Sequence, residues 1–151
     1  MISIVQYPAP TLLKPVERFK CNRDIEQCFK DVDKAEEFIK ANPHCLGLAA
    51  NQVSTENIWS WFLMKQSRSG EIRFFTNPRI IGRIGTQKSK EGCFSHPNEN
   101  YIVKRAKQVT LEWGVEIPER EVFTGIDAIC IQHEVDHLLG RTIQVTGKKV
   151  S

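Results

Sequence analysis

The chain has 151 residues, 40% of them hydrophobic, with 21 basic and 18 acidic residues for a formal net charge of +3. That length holds one sizeable core and is short for two, so a single domain over 1–151 is expected. The basic residues are dispersed rather than blocked, which argues against a specific nucleic-acid binder.

Met1 to Pro8 shows no basic start leading into an apolar run, and no stretch approaches about eighteen uninterrupted apolar residues. A cytoplasmic protein with no membrane association is the expectation. Five cysteines at irregular spacing, Cys21, Cys28, Cys45, Cys93 and Cys130, point to free thiols rather than a disulfide framework.

In chain order, Pro8, Pro10 and Pro15 predict an extended, turning arm, because proline fixes φ and removes a backbone donor. Ile25, Phe29, Val32, Ala35, Phe38 and Ile39 recur at helical spacing and predict an amphipathic helix from Asp24 to Asn42. Asn22 is its expected N-cap and Asn42-Pro43 its stop. Short strands are expected at Ile58–Met64, Phe74–Thr76, Ile80–Ile84, Val109–Trp113 and Glu121–Phe123. Helical spacing returns from Thr124, an expected N-cap, to about Leu139. Without a βαβ rhythm, the pattern predicts an antiparallel α+β fold.

The last helix carries His133-Glu134-Val135-Asp136-His137. Residues four apart stand one above the other on a helix, so both imidazoles reach one metal while Glu134 sits beside a bound water. From Leu138 to Ser151 there is no His, Cys, Asp or Glu, so a third protein ligand must lie upstream. Ile143 stands where the metzincin proteases carry their third histidine, which rules out that layout. Among upstream candidates Glu91-Gly92-Cys93-Phe94-Ser95 stands out: a Cys93 thiolate completes a Cys/His/His set and leaves a fourth position open. A lone loop cysteine is otherwise a small buried hydrophobe, and His44 and His96 read as solvent or packing residues, although His96 is close enough to Cys93 in sequence to line the mouth of the site. Ile126, Ile129 and Cys130 share the stripe of the two histidines, which predicts a hydrophobic slot beside the metal for an apolar side chain, or simply core.

Three segments together resemble the peptide deformylase family: Gln132 to Gly140, Glu91 to Ser95, and Leu46-Gly47-Leu48-Ala49-Ala50-Asn51-Gln52, with Val5 to Pro10 similar to the family's start. The resemblance implies antiparallel sheets around a central metal-binding helix, with the long N-terminal helix packed outside. It implies that Cys93, His133 and His137 hold one divalent metal, Fe2+ as the working ion with Zn2+, Ni2+ or Co2+ plausible after purification. Glu134 is then the general acid/base, and Gln52 and the Phe94 N–H form an oxyanion hole, with Gly47 and Leu46 beside the substrate. Arg105 pairs with Asp136 in support, although Asp136 reads equally as a solvated helix charge.

The implied activity is removal of the formyl group from N-formylmethionyl peptides during protein biosynthesis, by a monomer in transient contact with the ribosome or nascent chain. Two departures stand out. Cys45 replaces a glycine of the family pattern and is expected to crowd a bound peptide and offer an oxidisable thiol. The short end after Gly140 resembles trimmed bacteriophage members without the C-terminal helix, which would place the protein in a host cytoplasm. Deleting Gln144 to Ser151, which offers no ligand or proton carrier, is expected to leave deformylation largely intact. The rival readings are another Cys/His/His amidase or protease, separable with acetylated or internal peptides, and a non-enzymatic metal module.

Overall fold

The structure, a computed structural model, describes residues 2–150. Trp61, Phe62, Leu63 and Met64 are all buried, so the strand that carries them is covered on both faces. It is β2 (Trp61–Lys65), the centre of an antiparallel sheet with β1 (Gly47–Ala49) and β3 (Ile72–Thr76). Then follow β4 (Arg79–Ile84), β5 (Gln87–Cys93), β6 (His96–Arg105), β7 (Gln108–Trp113) and β8 (Glu119–Thr124). Strands β4, β7 and β8 form a second sheet, and β5 and β6 pair with the late strand β9 (Gly147–Lys149) in a third. The helices are α1 (Phe29–Ala41), α2 (Ala50–Val53), α3 (Gly125–Leu138) and α4 (Ile143–Thr146). The architecture is the expected α+β arrangement of antiparallel sheets, with α3 packed against β1, β2 and β8 and α1 against β1 and β2.

Helix α3 is buried at Ala128, Cys130, Ile131, Gln132, Glu134, Val135, His137 and Leu138, which is nearly all round, as a central helix requires. Helix α1 buries only Val32, Ala35 and Ile39, a single stripe that leaves the rest to solvent. Its start differs from the expected one. Asn22–Cys28 is a 3-10 helix, Phe29 is 48% exposed, and Asn22 caps nothing because Cys21 and Cys28 hold the two N-cap positions. The cause is local. Asp24 Oδ2 accepts the amides of Lys20 and Cys21 at 3.2 and 3.4 Å, and Asn22 N donates to Glu116 at 2.7 Å, tightening the turn before the α-helix begins.

The tail is also structured up to Val150, while Met1 and Ser151 lie outside the described residues. Gly147, Lys148 and Lys149 pair with Val103, Ile102 and Tyr101, and Ile143 is buried with Tyr101 and Val103. A Cβ on Gly147 would stand 2.7 Å from Val103 Cγ2, so this strand sits tightly on β6. Deleting residues 144–151 uncovers this cluster and one edge of β6, so the tail contributes to stability although it supplies no ligand. A fall in Tm of roughly 5 °C or more is expected by calorimetry; an unchanged Tm would show that β9 adds nothing.

Candidate metal centre

One turn of α3 separates His133 from His137, and their Nε2 atoms lie 3.2 Å apart. Cys93, at the end of β5, brings its Sγ to 3.4 Å from His137 Nε2, and the three donor atoms all lie within 4.8 Å of one another. A tetrahedral shell with nitrogen at roughly 2.0–2.1 Å and sulfur at roughly 2.3 Å spaces its donors by roughly 3.3–3.6 Å, so the residues present fit a metal. Burial raises the Cys93 thiol, but His137 and His133 more than offset it and hold it well below its ordinary range. The thiolate is the form that ligates.

Behind His133 stands a residue that the sequence reading left unassigned. Glu91 Oε1 lies 2.8 Å from His133 Nδ1, and the same carboxylate takes Arg105 Nε at 2.8 Å and Nη2 at 2.7 Å. Arg105 Nη1 reaches Asp136 at 2.6 Å, the expected pair, within a larger buried network. Burial pushes the Glu91 carboxyl up, yet Arg105 and His133 outweigh it and bring it down to about 2. A carboxylate on the far nitrogen fixes the ring orientation of a metal-binding histidine.

Glu134 is buried on the next position of α3, and its Oε1 has no partner among the described residues. Burial raises its carboxyl, only partly countered by His133 and His137. Gly47 explains how β1 passes so close: a Cβ there would stand 2.8 Å from Leu63 O, 2.9 Å from Cys130 Sγ and 2.9 Å from Glu134 Oε2. Gln52, on α2, accepts the Ala49 amide at 3.0 Å and directs Nε2 to Ser95 Oγ at 3.2 Å and Cys93 Sγ at 3.4 Å. The proline-bearing arm straps this loop: Val5 N donates to Gln52 O, Gln6 Nε2 to Phe94 O, and Tyr7 N to Ser95 O.

Leu46, Gly47, Gln52, Cys93, Phe94, Ile126, Ile129, Cys130, His133 and Glu134 line one cavity of about 660 Å³. His137, Asp136 and Arg105 are not among the residues that line it. Ile126 is 57% exposed and Leu46 43%, so both belong to the rim rather than to the core. His96 lines the cavity, as its closeness to Cys93 in sequence suggests, and its ring stacks on Tyr7 with centroids 4.4 Å apart; His44, expected in solvent or packing, lines the cavity as well.

Cys45 departs from expectation. Its side chain is 1% exposed in the wall of the cavity, and its Sγ donates to Gly47 O at 3.4 Å. Burial and the neighbouring Glu134 push the thiol up to about 12, so it stays protonated and a poor target for oxidation. Cys45→Ala is expected to cost about 1 kcal/mol of stability by opening a small void. It should leave both the peptide-length dependence of kcat/KM and the peroxide half-life of the zinc-loaded protein unchanged. A longer half-life in the variant would return Cys45 to the list of reactive groups.

A His-Glu-x-x-His helix with a cysteine thiol brought against its two histidines, beside a cavity in an antiparallel α+β fold, defines a metal-assisted hydrolase. The model of the polypeptide deformylase family matches residues 1–149. A peptide deformylase of Neisseria meningitidis is 33% identical over 147 residues, covering 93% of this chain and 83% of the relative. The peptide deformylase structure from Thermotoga maritima superposes with a TM-score of 0.82 at 26% identity, covering 95% of each chain. That of Vibrio parahaemolyticus bacteriophage VP16T, in complex with actinonin, gives 0.79 at 28% identity, covering 94% of this chain and all of the other. The chain belongs to the polypeptide deformylase family. It is a hydrolase that removes the N-formyl group from nascent polypeptides, so its substrates are formylmethionyl peptides. Deformylases are metalloenzymes, and the Cys93, His133 and His137 group is present here. Among the described residues no helix is long and apolar enough to cross a membrane.

Proposed function

We propose that Cys93, His133 and His137 hold the metal and that Glu134 is the proton carrier of deformylation. The observation that carries this reading is the convergence of three ligating atoms within 4.8 Å beside a buried, unpartnered Glu134 oxygen. When bound, a divalent ion there lowers the pKa of water and polarises a carbonyl. Glu134 takes a proton from the attacking water and gives it to the amine as the carbon–nitrogen bond breaks, releasing formate and the free amino terminus. Its burial suits that task, because desolvation brings its affinity for a proton closer to the working pH.

Gln52 and the Phe94 N–H serve as oxyanion donors, and the bond that Gln52 Nε2 donates to Ser95 Oγ and the one its Oε1 accepts from the Ala49 amide keep the Gln52 amide in place before charge develops. Gly47 leaves space for substrate backbone next to Glu134, while Leu46, Ile126, Ile129 and Cys130 receive the methionine side chain. Arg105, Asp136 and Glu91 position α3 and His133. Thiolate and imidazole ligands suit iron, zinc, cobalt or nickel over magnesium or calcium. The family resemblance favours Fe2+ in the cell, and the affinity order allows Zn2+, Ni2+ or Co2+ to replace it during purification. The working form is a monomer in the cytoplasm, that of a host cell if the chain is phage-encoded, touching the ribosome or nascent chain only transiently. The whole of 1–151 serves this one activity.

Formate release from formyl-Met-Ala-Ser, with metal analysis of anaerobically purified protein, tests the reading. Equal turnover of the acetylated peptide would sink it. Gln52→Ala should lower kcat by roughly 10²–10³, the effect of deleting one oxyanion donor. A rise in KM alone would make Gln52 a ground-state binder.

A further inference from the structure

Away from the ligands, one face of the β5–β6–β9 sheet carries lysine at four registered positions. Residues directly opposite on antiparallel strands share a face, so Lys88 with Lys104, and Lys90 with Ile102 and Lys148, stand on the same side. The alternate positions Ser89, Glu91, Val103 and Arg105 are buried beneath. All four lysines are exposed around a half-buried Ile102. None of the four pairs with a described carboxylate, whereas Lys40 holds Glu36 and Lys149 holds Glu99. No Asp or Glu occupies a registered position on this face.

Lysine opposite lysine across a ladder is repulsive. Lysine also protects sheet edges from pairing, which accounts for β5 and β9 but not for Lys104 on the central strand. The strip runs to the active cavity: Lys90 lines it, and β5 continues through Glu91 to Cys93. We propose that this lysine face docks the phosphate backbone of duplex RNA, without reading sequence. The face has no aromatic residue on which unpaired bases would stack, and no exposed apolar anchor of the kind that inserts into a bilayer. Phosphate contacts alone match what it offers. The binding is independent of the deformylase activity, and the two are measured separately.

The test uses the metal-loaded protein with a fluorescein-labelled RNA duplex, titrated at several salt concentrations. Four phosphate contacts predict a slope of log K against log salt of roughly −3.6. The variant Lys88→Gln/Lys104→Gln/Lys148→Gln, which spares Lys90, should bind at least about tenfold more weakly at low salt with a slope near −1. Its kcat/KM for formyl-Met-Ala-Ser should be unchanged, and the corresponding triple arginine variant should restore binding. Equal affinity and slope for wild type and the glutamine variant, absence of RNA binding at low salt, or binding to phosphatidylglycerol vesicles with none to RNA would each overturn the proposal.

Discussion

Glu134→Ala is expected to retain close to one metal per chain while turnover falls by roughly 10²–10⁴, the range for losing a general acid/base. Cys93→Ala is expected to lose both. The difference follows from position. Cys93 Sγ is one of three converging donors, whereas Glu134 lies beside them with a free oxygen and no other purpose that the structure provides. Stability should divide the two variants in the opposite sense. Burial disfavours the charged form of Glu134, so folding gains nothing from this carboxylate and Glu134→Gln should melt no lower than wild type. Removing Cys93 forfeits the stabilisation that a bound metal brings, so its Tm should fall towards that of chelator-treated protein. Metal content by emission spectroscopy, with formate release, decides the matter. Normal activity in Cys93→Ala would remove it from the ligand set, and full activity in Glu134→Ala would remove the proton carrier.

The helix bearing His133, Glu134 and His137 was legible because its chemistry and its periodicity coincide in one segment. The strands with apolar inner faces were legible for a related reason: Trp61 to Met64 and Val109 to Leu111 announce burial in their composition. Strands β5 and β6 were not. Their inward positions include Ser89, Glu91 and Arg105, which are polar because they build the site, so the alternation that identifies a strand is absent. The same polarity hid Glu91, which in Lys88 to Gly92 reads as one more solvated charge. A signal was nevertheless available, since Glu91 lies two residues before Cys93 and alternate residues of a strand share a face. The 3-10 turn at Asn22–Cys28 was unreadable for another reason: the Asn22 amide is held by Glu116, ninety-four positions away. The burial of the Cys45 thiol could not be read from the sequence, because the family pattern gives only the position of the substitution, while the direction of the side chain depends on the packing around Gly47 and Glu134.

Glu91→Ala is expected to be the most damaging substitution outside the ligand set. It leaves Arg105, 5% exposed, with Asp136 alone, and it removes the partner of His133 Nδ1. Breaking a buried ion pair from one side costs about 3–5 kcal/mol, which for a chain of this length lowers Tm by roughly 10 °C or more. Freeing the His133 ring should weaken metal binding by roughly 10–100-fold. The pH dependence gives an independent reading. The Glu91 carboxyl is brought down to about 2 in the folded chain from an ordinary value of 4.5, so the folded state binds fewer protons than the unfolded state between those values. A group with a depressed folded pKa contributes stability that is fully present above its unfolded pKa and is lost as pH falls through the folded one. Metal-free wild type should therefore lose Tm progressively from about pH 4.5 towards about 2. The gap between wild type and Glu91→Ala should narrow over the same range, because protonated Glu91 no longer holds Arg105. Melts followed by circular dichroism across that window decide it: a gap that is small at neutral pH, or constant down to the acid end, would mean that the Glu91–Arg105–His133 network is not what stabilises this side of the site.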